Sequence, residues 1–251
     1  MIDFTGKVAL VTGGARDIGR AISIGLAKQG AMVAINYYDN ETDALETKKM
    51  ITDNGGKCVL IQGDATNFTD CVKMGETAVA TFNQKVDILI NVAGGLVGRH
   101  LVADMEESFW DLVIGLNLKT VFLMTKATLP FMNDGGSIVN FTSQAARDGG
   151  GFGASAYATA KGGVLTFTRS MAKELAPRKI RVNAVSPGMI NTTFHNVHTK
   201  PEIRQKVAAS TPLGREGEAP EVADLVMYLA SSNSSFITGE SVEINGGTFF
   251  A

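Results

Sequence analysis

Short runs of strand-favouring residues alternate with longer stretches of helical periodicity along this whole chain. No other feature narrows its possible folds as much. The runs are Val8–Thr12, Ala31–Tyr37, Lys57–Gln62, Val86–Asn91, Ser137–Thr142, Ile180–Val185 and Ser241–Ile244. Between them apolar residues recur at helical spacing. Ile18, Ile22 and Leu26 line one face of a first helix that stops near Gly30. A second helix runs from about Glu41 to Asn54 and closes on Gly55-Gly56. Asp104, with Glu107 three residues on, reads as the capped start of a long helix. Another long helix carries Tyr157 and Lys161, and Pro220-Glu221 open a last one. Repeated strand–helix alternation builds right-handed βαβ units. The expected fold class is therefore α/β, a doubly wound seven-stranded parallel sheet with helices on both faces. No linker, repeat or shift in composition divides the chain, so residues 1–251 are expected to form one domain. Ligands of such sheets bind outside the carboxyl ends of the strands, which directs the search for function to the loops after each strand.

Composition removes several classes of function. The net charge of −2 and the absence of a Lys/Arg block argue against nucleic acid and against a polybasic membrane contact. MIDFTGKVALVTGG lacks the basic start of a signal peptide, and no apolar run reaches the ~18 residues expected of a membrane span. A cytoplasmic protein is expected. Cys58 and Cys71 have no C-x-x-C spacing and read as two reduced thiols. His195 and His198 lie three apart without a cysteine or third histidine nearby, so no metal site is expected.

Thr12-Gly13-Gly14-Ala15-Arg16-Asp17-Ile18-Gly19 stands between the first strand and the first helix. Glycines there let backbone approach a pyrophosphate, and the helix N-terminus supplies unpaired N–H groups with partial positive charge. At the end of the second strand, an acid binds the ribose hydroxyls of NAD and an arginine accommodates the 2′-phosphate of NADP. Asn36-Tyr37-Tyr38-Asp39 has neither directly at the strand end. Arg16 would favour a 2′-phosphate, while Asp17 and Asp39 would oppose it. NADH and NADPH both stay open.

Tyr157 and Lys161 are four residues apart and so share one face of their helix. A cation beside a phenol favours the phenolate and lowers its pKa, which makes a proton donor and acceptor for neutral pH. Ser143 upstream is placed to hydrogen-bond the oxygen that gains or loses the proton. Asn117 interrupts an otherwise apolar helix, where its side chain competes for backbone groups. It implies either a local distortion or bound water, or simply a tolerated polar position.

Together these residues resemble the short-chain dehydrogenase/reductase family over the whole chain, from Gly6-Lys7 to Asn245-Gly246-Gly247. TGGARDIG is similar to the family's T-G-x-x-x-G-x-G, with Asp17 in place of the middle glycine. Asp64 matches an adenine-contacting aspartate, Asn91-Val92-Ala93-Gly94 matches N-N-A-G, and Pro187-Gly188 with Thr192 matches P-G-x-x-x-T near the nicotinamide carboxamide. The resemblance implies a Rossmann-type fold. It implies cofactor contacts at Gly13, Arg16, Asp17, Ile18, Gly19, Tyr37, Asp64, Ala65, Asn91, Ala93, Gly94, Tyr157, Lys161, Pro187, Gly188, Ile190 and Thr192. It also implies a catalytic set of Asn117, Ser143, Tyr157 and Lys161. In that set Ser143 orients a carbonyl, Tyr157 protonates it, Lys161 lowers the tyrosine pKa and holds the ribose, and Asn117 supports a water that reloads the proton. The family's pairing of long helices implies a homotetramer.

The loops after the fourth, fifth and sixth strands carry Arg99, His100, Gln144, Arg147 and His195, a cationic mouth suited to a small anionic carbonyl substrate. Arg99, Gln144, Arg147 and His195 are the candidate substrate residues, with Arg147 foremost because it lies between Ser143 and Tyr157. NVAGGLVGRH, SQAARDGGGFGASAYATAKG and PGMINTTFH are similar to the reductases of bacterial alginate breakdown. That likeness implies reduction of 4-deoxy-L-erythro-5-hexoseulose uronate to 2-keto-3-deoxy-gluconate. Two rivals in the same family are a 3-oxoacyl-carrier-protein reductase, whose partner would need a basic patch such as Arg169, Lys173, Arg178 and Lys179, and a sugar dehydrogenase. A rival of another class is a dinucleotide-binding sensor without catalysis.

Overall fold

The computed structural model describes residues 2–193 and 201–250. Seven strands form one sheet in the order β3-β2-β1-β4-β5-β6-β9. They are β1 (Val8–Thr12), β2 (Met32–Tyr37), β3 (Lys57–Gln62), β4 (Val86–Asn91), β5 (Met132–Phe141), β6 (Arg181–Pro187) and β9 (Ser241–Ile244). Every pairing in this sheet is parallel. A short ribbon of β7 (Ile190–Asn191) and β8 (Gly217–Glu218) lies apart from it. The helices are α1 (Asp17–Lys28), α2 (Glu41–Thr52), α3 (Phe68–Phe82), α4 (Glu107–Ile114), α5 (Thr120–Thr128), α6 (Ala145–Asp148), α7 (Ser155–Glu174), α8 (Pro201–Ser210) and α9 (Ala219–Ala230). This is the Rossmann-type, doubly wound sheet expected from the alternation.

Strand β1 shows why both faces are covered. Successive side chains of a strand point to opposite faces. Ala9 and Val11 join one core with Ile22 and Leu26 of α1 and Val222 and Val226 of α9. Val8 and Leu10 join the other with Met74 of α3 and Met124 of α5. A strand buried on both sides is apolar throughout, as VALVT is. Asn40 caps α2 by accepting from the N–H of Asp43, and Asn67 caps α3 by accepting from Thr69 and Asp70. Sheet order reverses between β1 and β4, and the crevice outside their carboxyl ends receives the loops after β1 and β4.

Three expectations need correction. Asp104 lies in a separate 3-10 turn, Val102–Asp104, and the extended backbone at Met105 and Glu106 breaks any capping box with Glu107. Strand β5 begins at Met132 rather than Ser137, across Asp134, Gly135 and Gly136, with a register irregularity against Val86 and Ile88. The helical stretch Glu107–Phe131, of 25 residues with an 18-residue window of mean hydropathy 1.4, is long and apolar enough to cross a membrane by length and composition alone. Half of that apolar window is buried inside the fold.

Candidate active site

The loop after β1 is held from behind, which leaves its front to a ligand. Asn36, buried near the end of β2, accepts from the N–H of Gly13 through Oδ1 at 3.3 Å and from Gly14 through its carbonyl at 3.0 Å. Its Nδ2 donates to the carbonyls of Ile61 (3.3 Å) and Gly63 (3.0 Å). Ser23 donates to the Gly14 carbonyl at 2.9 Å, and Thr47 to that of Ala15 at 2.6 Å. Gly13 adopts φ +59°. A Cβ on Gly19 would fall 2.0 Å from the Gly13 carbonyl oxygen, so only glycine lets helix and loop approach this closely. The N-cap of α1, Arg16, makes no side-chain cap bond. An uncapped helix start behind a glycine cradle fits a dinucleotide pyrophosphate.

Asp17 holds the middle glycine position with φ +50°, in the left-handed region where glycine is at ease. Its Oδ1 accepts from the backbone N–H of Thr193 at 2.9 Å, and its Oδ2 lies 3.9 Å from Nε of Arg16. Thr192, next to Thr193, is buried and donates to the Ile190 carbonyl at 3.2 Å. Ile18 is half-buried against the core on α1. Across the crevice, Ala93 donates its N–H to Oγ1 of Thr12 at 3.1 Å, tying the loop after β4 to β1. Asp64 accepts from the N–H and hydroxyl of Thr66, both at 2.7 Å, and Ala65 is buried beside it. Tyr37 is half-buried at the end of β2. Pro187 and Gly188 are pinned by bonds from the Gln144 N–H to the Pro187 carbonyl (3.1 Å) and from the Gly188 N–H to the Ile244 carbonyl (3.0 Å).

The four residues of the expected catalytic set meet at the carboxyl ends of β4 and β5. Ser143 follows β5, accepts from the Ala145 N–H at 3.2 Å, and lies close enough to Tyr157 on α7 to lower its pKa. Lys161, one turn on, donates from Nζ to the Phe141 carbonyl at 2.9 Å. Burial pushes the Tyr157 pKa up, against the lowering effect of the Ser143 hydrogen bond. Burial also brings Lys161 down to about 8. Desolvation of the phenol outweighs its other influences, so the lowering expected from Lys161 does not set the direction here.

Asn117 is fully buried in a π-helical turn, Gly115–Lys119, that joins α4 to α5. The distortion expected of a mid-helix asparagine is present. Its Nδ2 donates to the carbonyls of Val113 (2.9 Å) and Gly95 (2.8 Å), and its Oδ1 accepts from the N–H of Gly95 at 2.9 Å. Gly94 marks where this side chain meets Lys161. A Cβ there would stand 2.7 Å from Oδ1 of Asn117 and 3.3 Å from Nζ of Lys161. Asn91 extends the network by donating to Asn140 at 2.8 Å, and Asn140 donates to Thr168 at 2.9 Å, which links β4 and β5 to the catalytic helix. Asn36, Asn140 and Thr168 escaped sequence reasoning as structural members of the site. Their only signal is polarity at positions where a buried strand or helix face is otherwise apolar.

The substrate candidates separate. Arg99, exposed in the loop after β4, donates from Nη1 to the Phe152 carbonyl at 3.0 Å. The N–H of His100 donates to the Gly153 carbonyl at 3.0 Å, so the loops after β4 and β5 touch. Gln144 donates to Asp148 at 2.9 Å. Arg147, the foremost expected substrate reader, instead pairs through Nε with Glu243 of β9 at 3.1 Å, both side chains being largely buried. Pairing with an internal carboxylate removes its case for reading a substrate. His195 lies outside the described residues. Val97 sits at φ +63°, and the N–H of Gly98 reaches the Leu96 carbonyl at 2.7 Å across it, a strained γ-turn for a β-branched residue. A depression of about 520 Å³ lies at the opposite, amino-terminal edge of the sheet. Its Lys7 and Asp87 pair with each other at 3.1 Å, and its Arg181 is spent on the carbonyls that end α9.

Comparison with known proteins agrees with this geometry. The family model described as enoyl-(acyl carrier protein) reductase matches residues 13–248. An uncharacterized oxidoreductase of Bacillus subtilis, YhdF, is 38% identical over 246 residues, covering 98% of this chain and 84% of that protein. A 3-oxoacyl-[acyl-carrier-protein] reductase of Synechocystis is 37% identical over 251 residues, covering 98% of each. Among solved structures, a short-chain dehydrogenase/reductase from Serratia marcescens superposes with a TM-score of 0.92 at 34% identity, covering 97% of this chain and 98% of that one.

Proposed function

The chain belongs to the short-chain dehydrogenase/reductase family and is an NAD(P)-dependent oxidoreductase. Within that family we propose that it reduces the aldehyde of a small anionic carbonyl compound, 4-deoxy-L-erythro-5-hexoseulose uronate, to 2-keto-3-deoxy-gluconate. The observation that carries the chemical half of this reading is a chain of neighbours: Asn117 and Lys161 meet beside Gly94, Lys161 stands 5.7 Å from the Tyr157 ring, and Ser143 acts on Tyr157. A sensor that only binds dinucleotide has no use for that arrangement.

The bound dinucleotide supplies the hydride. The loop from Gly13 to Gly19 and the start of α1 take its pyrophosphate, with Arg16, Ile18, Tyr37, Asp64 and Ala65 toward the adenosine half. Asn91, Ala93, Gly94, Pro187, Gly188, Ile190 and Thr192 serve the nicotinamide half. Ser143 donates to the substrate carbonyl oxygen and orients it. Tyr157, protonated across the neutral range because burial raises its pKa, delivers its proton to that oxygen as negative charge develops there. Lys161 holds the ribose and lies on the path by which a proton from solvent returns to the Tyr157 phenolate. Asn117 supports a water on that path: its Nδ2 is spent on Gly95 and Val113, while its Oδ1 accepts one bond and has a second lone pair.

The substrate half rests on Arg99, which stands exposed where the two mouth loops touch, with an always-charged fork suited to a carboxylate. Gln144, next to Ser143 in the loop after β5, is the second described residue kept for this mouth. The whole chain, 1–251, acts as one domain holding both cofactor and catalytic groups. We place it in the cytoplasm as a homotetramer. The exposed Trp110, Leu112 and Phe122 on α4 and α5 favour an association of these helices between copies.

One specific observation favours a second reading: the Synechocystis relative named as a 3-oxoacyl-[acyl-carrier-protein] reductase matches over nearly its full length. Against it, the basic patch such a partner would need is weakened. Arg178 is occupied by Asp134 and by the carbonyls of Leu129 and Met132. Lys173 lies sixteen residues beyond Tyr157, about 24 Å along α7, and away from the mouth.

The deciding experiment measures oxidation of NADH and of NADPH in parallel against the uronate, a 3-oxoacyl thioester and neutral aldehydes and ketones. The reading requires the uronate to give the highest kcat/KM. A preference for the thioester transfers the protein to the second reading, and dinucleotide binding without turnover of any carbonyl transfers it to the sensor class.

A further inference from the structure

Asp17 stands where a glycine is expected, carries a backbone conformation that costs an aspartate free energy, and reaches across 176 residues of sequence to hold the N–H of Thr193. We propose that Asp17 is a positioning residue for the nicotinamide half of the cofactor, acting from the phosphate loop through Thr193 on Thr192. This depends on dinucleotide binding alone and not on which carbonyl is reduced.

The argument begins with what a glycine would leave undone. Thr192 and Thr193 follow β7, and the Thr193 N–H has Asp17 Oδ1 as acceptor at 2.9 Å. Behind Thr193, among the described residues, the β7–β8 ribbon and the bonds of Asn191 to Arg204 and Glu218 hold the chain, and the Asp17 carboxylate holds Thr193 itself. With it, Thr192 is buried and its hydroxyl is directed by the Ile190 carbonyl before any ligand arrives. Ordering a segment in the free protein removes that cost from binding. The left-handed backbone at Asp17 is what turns its carboxylate across the crevice rather than along α1. Strain of this kind persists where surrounding structure over-determines it.

A negative charge beside the phosphate loop repels a pyrophosphate as well. Arg16 Nε at 3.9 Å and the partial positive charge at the start of α1 temper that repulsion without removing it. Asp17 thus acts with opposite signs on the two halves of the same ligand: it disfavours the phosphates and favours the nicotinamide end. A purely structural residue would weaken both halves together.

The test compares wild type, Asp17→Gly and Asp17→Asn by calorimetric titration of the full chain with NADH, NADPH and ADP-ribose, which lacks the nicotinamide. Asp17→Gly relieves the backbone strain but removes the acceptor. It should weaken NADH and NADPH binding by at least about tenfold while ADP-ribose binds as well as before or better. Asp17→Asn keeps an acceptor oxygen for Thr193 and should stay within about threefold of wild type for the full dinucleotides. Amide exchange at Thr193 in the free protein should quicken in Asp17→Gly and not in Asp17→Asn. The proposal is overturned if Asp17→Gly binds NADH as wild type does, if it weakens NADH and ADP-ribose equally, or if Asp17→Asn is as weak as Asp17→Gly.

Discussion

The ammonium of Lys161 stands 5.7 Å from the centre of the Tyr157 ring. Burial acts on the two in opposite directions, raising the phenol and bringing the ammonium down to about 8, so each is driven toward its neutral form. For Lys161 the sign is clear. Its folded pKa lies below the unfolded value of 10.5, so between about 8 and 10.5 the unfolded chain holds a proton that the folded chain has lost. The burden on stability is full below pH 8 and is relieved as pH rises through that window. Lys161→Met should therefore be more stable than wild type near pH 7, by roughly 2–3 kcal/mol after the lost bond to Phe141 is counted. Urea melts from neutral pH to about 10 should show the gap closing. A variant less stable at neutral pH, with a gap independent of pH, would show that the ammonium is stabilised in place.

Tyr157→Phe keeps the ring and removes the proton. Turnover in the reductive direction should fall by about 10²–10⁴, while calorimetric affinity for NADH or NADPH stays within a few-fold. In wild type the raised tyrosine pKa keeps the acid form present through neutral pH, so reductive kcat/KM should be flat there. The reverse oxidation, which needs the phenolate, should climb with pH. Wild-type-like turnover in the variant would remove Tyr157 as the acid.

Asn117→Ala would leave the N–H and carbonyl of Gly95 without their side-chain partners and the Val113 carbonyl without a donor. An unsatisfied buried group costs about 1–3 kcal/mol, and a loss of about 3 kcal/mol overall is expected in a denaturant melt. Gly95 lies next to the point where Asn117 and Lys161 meet, so kcat should fall more than dinucleotide affinity. An equal loss in both would assign Asn117 to scaffolding alone.

The strands were readable because a sheet buried on both faces leaves apolar runs in sequence. Val8–Thr12 and Val86–Asn91 begin and end where the runs do, and so do the half-buried edge strands Lys57–Gln62 and Ser241–Ile244. Asn117 was readable for the opposite reason, as a residue its helix does not favour, and its π-turn bears that out. What sequence hid depends on distant partners. Arg147 looked free until the fold carried Glu243 to it from 96 residues away. Asn36 looked like part of a cofactor-selecting strand end until its amide met Gly13, Ile61 and Gly63. The start of β5 was hidden because Asp134, Gly135 and Gly136 read as turn residues, yet the backbone there continues the strand.

Arg147 and Arg99 make the last contrast, since sequence put Arg147 foremost and the fold favours Arg99. Arg147→Ala should strand the Glu243 carboxylate with little solvent and lower stability by about 2 kcal/mol, below the range for a fully buried pair because both groups keep some exposure. Its effect on KM should be the same for an anionic and a neutral aldehyde. Replacing Glu243 with Gln in the same variant should recover part of the lost stability, because the unpaired charge is then gone. Arg99→Ala should change stability by less than about 0.5 kcal/mol. It should nonetheless raise KM for the uronate by about tenfold while leaving a neutral aldehyde unaffected, as loss of a charged hydrogen bond to a carboxylate does. Measuring KM for both substrates in both variants separates these roles. A selective uronate defect in Arg147→Ala, with none in Arg99→Ala, would reverse the assignment.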